Sequence, residues 1–203
     1  RHLVMDATRI DQFGSWQGSI RVEGRELKVH AENTFGLKDR SWGIRPVGAS
    51  YTGGAPIDNF QPLHFMWLPI HWENRCTLAG WFEDQSGYQW HTDQAIVPIH
   101  SNSESIEINT FLMNNKNGEQ LEIRVEPVML HRMKGLGYMH PEWGHGVWQG
   151  ELAIAGESWN CEDANPLALE NIHIQQTVIA RCGDEAGYGV LEQLHIGPHS
   201  EHG

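Results

Sequence analysis

Short stretches in which apolar and polar residues alternate are the feature that most constrains the fold of this chain. Successive side chains of a β-strand point to opposite faces, so alternation over about 4–8 residues is typical of a half-buried strand. The 22 glycines and nine prolines separate these stretches, at the spacing of about 8–12 residues that is usual in all-β folds. No apolar set recurs at helical spacing over three turns. We therefore predict an all-β antiparallel fold, a barrel or a sandwich, with little helix.

Ten segments fit the strand pattern. A hairpin over Gly18–His30, with its turn at Glu23-Gly24, is expected to open the chain. The other predicted strands are His64–Ile70, Cys76–Glu83, Tyr88–Pro98, Ser105–Met113, Gln120–Leu130, Gly146–Ala155, Ile172–Arg181 and Gly187–Ile196. Two stretches without alternation, Gly43–Pro62 and Asn160–Asn171, are predicted to be loops.

The charge balance excludes several classes of partner. Fourteen Lys and Arg against 26 Asp and Glu give a net charge of −12, which repels phosphate backbones, so nucleic acid is not an expected partner. Mean hydropathy is −0.47, and no apolar run reaches the roughly 20 residues of a membrane-spanning helix. The three cysteines form no Cys-x-x-Cys pair. We expect one cytoplasmic domain over residues 1–203, and a start without Met suggests a piece of a longer protein.

The first candidate for chemistry is Gly36–Pro46, which follows the predicted hairpin. It carries Asp39, Arg40 and Trp42 close together in sequence. A cation beside a carboxylate holds it ionised, so Asp39 could act as a base or could form a structural ion pair with Arg40. We expect Trp42 to be largely buried.

The second candidate is the predicted strand around Trp90. Period two places His91, Asp93, Ala95 and Val97 on one face. If that face is inward, apolar surroundings raise the pKa of Asp93 and suit it to be a general acid. The alternative is that this face meets solvent.

The third candidate is Glu192 in the last predicted strand. It shares a face with Val190, Leu194 and Ile196, which predicts an inward carboxylate among aliphatic neighbours. A buried acid is costly unless it is paired or protonated, so Glu192 is either a functional acid or the partner of an inward Arg or His.

The fourth candidate is the glycine-rich segment Gly135–Gly146. It holds His140, Glu142, Trp143 and His145. The spacing of the two histidines matches no zinc signature, so a role in facing a ligand or stabilising the loop is favoured over a metal site.

The fifth candidate is His64–Trp72. Phe65, Trp67 and His71 share one face, and His64, Met66, Leu68 and Ile70 share the other. Because both faces are largely apolar, this strand is predicted to be covered on both sides or to line a cavity.

The stretch Gly36-Leu-Lys-Asp-Arg-Ser-Trp-Gly-Ile-Arg45 resembles the lipocalin-like superfamily of carotenoid 1,2-hydratase, which includes AttH-like proteins and certain Diels–Alderases. The resemblance continues in Ala79–Phe82 with His91–Asp93, in Gly137–His145 and in Gly189–His199. It implies a calycin-type barrel and a bacterial source. Relatives carry two such β-domains, so this chain would be mostly the second, with the other domain or a second copy as partner.

For function, the resemblance implies acid–base chemistry or cyclisation on a hydrophobic isoprenoid or polycyclic substrate without a redox cofactor, and we expect no metal or other cofactor. Our leading hypothesis is an enzyme of hydratase, isomerase or cyclase type acting on a carbon–carbon double bond. The proposed proton donors, in order, are Asp93, Glu192 and Asp39. Relay and ligand-binding roles fall to His71, His91, His140, His145, Trp42, Trp67, Trp81 and Trp143. The alternatives are a non-catalytic binder of a hydrophobic ligand and a cupin-like metalloenzyme.

Overall fold

The structure is a computed structural model. It describes residues 6–44, 63–84, 88–91, 99–101, 106–108, 110–114, 120–133, 140, 142–144 and 147–197, and for 89–91, 99–101, 106–108, 110–114 and 169 it describes the backbone alone. Most of the described residues lie in β-strands, and every strand pair is antiparallel. The prediction of an all-β antiparallel fold is therefore confirmed.

Thirteen strands are described. They are β1 (Asp6–Ser15), β2 (Gly18–Val22), β3 (Arg25–Val29), β4 (Phe35–Ile44), β5 (Leu63–His71), β6 (Cys76–Glu83), β7 (Gln89–His91), β8 (Ile99–Ser101), β9 (Ile106–Ile108), β10 (Thr110–Asn114), β11 (Gln120–Arg132), β12 (His173–Cys182) and β13 (Glu185–Ile196).

The chain divides into two compact units, residues 1–46 and 47–203. In the first unit, β1 pairs with β4 and β2 pairs with β3. Glu23 and Gly24 have φ angles of 48° and 78°, which is the pair of positive φ angles that a tight two-residue hairpin turn requires. The predicted hairpin is confirmed, but β1 precedes it, so the hairpin does not open the chain.

A seven-stranded sheet in the order β10-β11-β12-β13-β5-β6-β7 organises the second unit. Five of its strands match predicted ones, with ends shifted by at most two residues. Of the predicted strand Tyr88–Pro98, β7 is the described part, and residues 92–98 lie outside the described residues. In this described order β7 and β10 are the two edges of the sheet, which does not establish a closed barrel.

One face of this sheet, which we call the core face, carries the hydrophobic core. Its members alternate along β5, β6, β11, β12 and β13, as period two requires. The apolar core cluster is Met66, Leu68, Ile70, Trp72, Ala79, Trp81, Ile123, Val125, Val178, Ala180 and Leu191. The opposite side, which we call the second face, carries residues in the other phase, such as Trp67 and Glu192, which are paired across β5 and β13.

The predicted strand Gly146–Ala155 is wrong for its described part, because residues 147–155 form no strand. Trp148, Leu152 and Ile154 are 79%, 83% and 86% exposed. Alternation makes a strand only where a neighbouring strand accepts its backbone hydrogen bonds, and the described residues provide none here. The predicted loop Asn160–Asn171 is confirmed as two short 3₁₀ turns, Cys161–Asp163 and Leu169–Asn171.

Within the described residues, no helix is both long enough and apolar enough to cross a membrane. Of the predicted loop Gly43–Pro62, Gly43 and Ile44 belong to β4, and the remainder lies outside the described residues.

We expect Gly189→Ala to destabilise the second unit. A Cβ atom at Gly189 would collide with the backbone carbonyl oxygen of Pro69 on the neighbouring strand. Overpacking of this kind costs about 1–3 kcal/mol. Urea denaturation measures the loss, with Gly156→Ala as the matched control, because no atom lies within 4 Å of a Cβ at that position. Equal stability of the two variants would contradict the close strand contact.

Candidate functional site

One end of the core face is polar. Glu83 at the end of β6 lies directly opposite His64 at the start of β5, and His64 lies directly opposite His195 at the end of β13. Glu83 and His64 are each 2% exposed, and Gln193, two residues before His195, is fully buried. A carboxyl group and two imidazoles thus lie side by side across three strands.

These polar side chains form a chain of contacts. Nδ1 of His64 lies 3.2 Å from Nδ1 of His195, and Nε2 of His195 lies 3.3 Å from Oε1 of Gln193. Nε2 of Gln193 donates to Oε1 of Gln176 at 3.4 Å. The contacts therefore continue from β5 across β13 to β12.

Burial of this many polar groups is unusual in an apolar core, because each one loses its hydration. Neighbouring titratable groups in such surroundings are typical of sites that move protons. In the next positions along the core face, Met66 and Trp81 are buried at 2% and 7% exposure. The polar end therefore adjoins an apolar and aromatic surface, an arrangement suited to a hydrophobic ligand.

Sequence reasoning missed most of this site. It placed His64 on one face with Met66, Leu68 and Ile70, which is confirmed, but it did not single out His64 for chemistry. Alternation along Cys76–Glu83 puts Glu83 in phase with Trp81 and could have identified it. The long-range pairing of β5 with β13, which brings His195 to His64, has no signal in the sequence.

Glu192 shares a face of β13 with Val190, Leu194 and Ile196, as predicted, but that face is the second face. The more buried side of β13 carries Leu191 and Gln193. The prediction of an inward carboxylate is therefore wrong. Its Oε1 contacts Nε2 of His173 at 2.8 Å, and its Oε2 accepts from Gln175 at 3.3 Å. The predicted pairing with an Arg or His is confirmed with His173.

The predicted wall residues Trp67 and Trp81 are both buried, but they lie on opposite faces of the sheet. Trp67 stacks on Phe65 with ring centroids 6.3 Å apart. His71, also on the second face, has Nδ1 at 3.8 Å from Sγ of Cys76, and burial raises the pKa of that thiol. These residues do not surround one site.

Asp39 lies in β4 of the first unit. Its Oδ1 is 3.4 Å from Nε of Arg9, so the predicted pair with Arg40 is wrong, since adjacent strand residues point to opposite faces. Asp39 lies directly opposite Asp11 on β1. Burial and the Asp39 carboxylate both raise the pKa of Asp11, while Arg9 lowers it.

Trp42 is 48% exposed, so its predicted burial is wrong. It lies in the other phase of β4 from Asp39, together with Arg40 and Ile44. That phase of the ribbon is exposed, whereas the phase of Asp39 includes the half-buried Leu37 and Ser41. The motif therefore divides between two faces of a ribbon.

We expect Asp11→Asn to stabilise the β1–β4 ribbon at neutral pH. A raised pKa means that the folded form holds this proton to higher pH than the unfolded chain, so stability falls as pH rises from 3.8 through the raised pKa. The gain is about 0.2–1 kcal/mol, the usual size for cross-strand charge pairs, and it vanishes below that window. Urea denaturation at neutral pH and at a pH below 3.8 measures this gain. Asp6→Asn, at an exposed position, is the control. A gain that is independent of pH would contradict this explanation.

His140 stabilises its own loop. Its Nδ1 accepts from the backbone N–H groups of Glu142 and Trp143 at 3.1 and 2.8 Å, and its Nε2 lies 3.4 Å from Oε1 of Glu157. Trp143 is 38% exposed. These contacts match the predicted loop-stabilising role, while His145 lies outside the described residues.

The structure describes only part of the predicted strand that carries His91 and Asp93. His91 pairs with Trp81 in the β6–β7 ladder, and Asp93 lies outside the described residues. Which way this pair faces therefore stays a prediction. In the part of the chain that the structure describes, no group of three His, Cys, Asp or Glu side chains has the geometry to hold a metal ion.

Comparison with known protein families identifies a match. The sequence model of a family described as a family of unknown function (DUF8625) matches residues 1–111 and 107–203. No curated protein and no solved structure matches the chain.

Proposed function

This chain belongs to that family of unknown function, and we propose that it is an acid–base enzyme acting on a carbon–carbon double bond of a hydrophobic small molecule. The observation that carries the proposal is the row formed by the buried Glu83 and His64 and the half-buried His195 at one end of the apolar core face. An isoprenoid or polycyclic substrate fits the adjoining apolar surface.

The chemistry needs a proton donor and a proton acceptor. In its acid form Glu83 would give its proton to an alkene carbon, whose π electrons form the new C–H bond and leave a carbocation on the neighbouring carbon. Trp81, two residues earlier on the same face, offers a π surface that stabilises positive charge. An imidazole of the row would then take a proton from a neighbouring carbon in isomerisation or cyclisation, or from an added water in hydration.

The order of proton donors changes with this geometry. Glu83 joins the proposal because it is buried on the core face beside two imidazoles. Glu192 is paired on the second face, and Asp39 is an exposed partner of Arg9 in the first unit. Asp93 stays a predicted donor.

We also propose that the seven-stranded sheet closes as a lipocalin-like barrel around the core face. The described sheet is antiparallel throughout, and one of its faces carries buried side chains on five strands. A crystal structure that pairs the two edges, β7 and β10, would support closure, whereas a sandwich of two sheets would overturn it.

A non-catalytic binder of a hydrophobic ligand is the second candidate. His64, His195, Gln193 and Gln176 form hydrogen-bond contacts with one another. The same group of side chains could therefore orient a ligand without turnover.

One experiment separates the two candidates. The protein is incubated in D₂O with retinol, geranylgeraniol or squalene, binding is followed by quenching of tryptophan fluorescence, and products are analysed by mass spectrometry. Carbon-bound deuterium in the product supports the enzyme, and a further gain of the mass of water identifies hydration. Binding of a probe without deuterium uptake supports the binder. Absence of binding to all three overturns the proposed ligand class.

A further inference from the structure

The two imidazoles of this row, on the buried His64 and the half-buried His195, meet through equivalent nitrogens. Their Nδ1 atoms are 3.2 Å apart, and the rings are tilted by 32° with centroids at 5.4 Å. A hydrogen bond between two nitrogens holds one proton, so one Nδ1 donates and the other accepts. Which one donates is decided by the groups behind them.

Gln193 and Gln176 determine which of the two nitrogens donates. Nε2 of Gln193 donates to Oε1 of Gln176, which leaves Oε1 of Gln193 directed at Nε2 of His195. An amide oxygen only accepts hydrogen bonds, so Nε2 of His195 carries a proton. A neutral imidazole has one N–H, and Nδ1 of His195 is therefore the acceptor.

The same reasoning gives the tautomer of His64. Because Nδ1 of His195 accepts, Nδ1 of His64 carries the proton, and a neutral His64 then has an acceptor at Nε2. We propose that Gln193 and Gln176 are positioning residues that hold His195 as the Nε2–H tautomer and His64 as the Nδ1–H tautomer, which makes Nε2 of His64 the proton acceptor of the site. The two tautomers rest on the contacts alone. The role of His64 as proton acceptor rests on the proposed function.

Several described side chains adjoin the pair. Glu83 faces His64 from β6, Gln193 and Gln176 face His195 from β13 and β12, and Met66 follows His64 on the same face. Of these neighbours Glu83 alone is titratable. The acceptor assigned to His64 is thus on the ring that lies opposite the proposed acid, as a donor–acceptor pair requires.

Nitrogen-15 NMR of the imidazole rings in the full chain tests the assignment without any substrate. We expect the wild-type spectrum to show His64 protonated at Nδ1 and His195 protonated at Nε2. Gln193→Leu removes the acceptor oxygen and should turn the single tautomer of His195 into a mixture, whereas Gln193→Glu keeps an acceptor oxygen and should preserve it. An amide proton–nitrogen spectrum confirms that each variant is folded.

The opposite tautomers in the wild type would overturn the proposal whether or not any variant folds. Unchanged tautomers in a folded Gln193→Leu variant would also overturn it, since another group would then set them. A titration with Zn²⁺ alone that shifts both Nδ1 signals at one equivalent would identify the pair as metal ligands and overturn it as well. Failure of deuterium transfer to the isoprenoid probes, with the expected tautomers present, would instead remove the proposed function and leave the positioning role of the glutamines.

Discussion

Trp72→Ala should lower the free energy of unfolding of the second unit by about 3–5 kcal/mol, the usual cost of truncating a large aromatic in a core. Trp72 follows β5 and is 5% exposed within the hydrophobic core cluster. Its indole Nε1–H donates to Oγ1 of Thr77 at 2.9 Å, and the guanidinium of Arg75 lies 5.1 Å from its ring centroid. The substitution therefore loses packing, a hydrogen bond and a cation–π contact together.

Urea denaturation, followed by the circular dichroism of the β-structure, measures this loss. Trp148→Ala is the matched control, because that indole is 79% exposed and exposed substitutions usually change stability by less than about 0.5 kcal/mol. Trp72→Phe should fall between the two, since it keeps a ring in the core but loses the donor to Thr77. If Trp72→Ala and Trp148→Ala were equally stable, the core described around β5 would be wrong.

The sequence predicted strands where alternation and turn residues agree. β11 begins with a clear alternation over Gln120–Glu126, β5 is a short run that is apolar on both faces, and Glu23-Gly24 sets a turn through local backbone preference alone, so these elements could be predicted. Gly146–Ala155 alternates equally well but forms no strand in its described part, because a strand also needs a neighbour and pairing is a non-local property.

Which phase of a strand is buried was the harder question. In β13 the phase of Glu192 contains Val190, Leu194 and Ile196, whereas the phase of Gln193 contains Leu191 and two glycines. By hydrophobicity the first phase should be inward, yet the second lies on the core face. Gly187 and Gly189 permit close approach to β5 and its side chains, and that approach, which composition does not reveal, decides the buried side.

The candidate site was missed for the same reason. His64, Glu83 and His195 are separated by 19 to 131 residues and meet only through the order β13-β5-β6. No local motif links them, so sequence reasoning favoured acids in recognisable stretches, such as Asp39 and Asp93. The burial of His64 and Glu83 is a property of the assembled sheet.

Glu83→Gln should reduce carbon-bound deuterium incorporation from D₂O by about 10²–10⁴-fold, the usual share of general acid catalysis. The amide keeps the shape of the carboxyl group at a position that is 2% exposed, but it has no proton to transfer. Binding of the same probe, followed by tryptophan fluorescence, should change little, because the apolar surface around Met66 and Trp81 is retained.

Three further variants decide whether this acid is the donor. Glu151→Gln changes an exposed carboxylate and should leave incorporation at the wild-type level. Glu192→Gln should also retain it, since Glu192 lies on the second face with His173. If Asp93→Asn abolishes incorporation while Glu83→Gln does not, the proton comes from the segment around His91, and the row of Glu83, His64 and His195 has a structural role. Loss in both would mean that Asp93 and Glu83 are each required for the proton transfer.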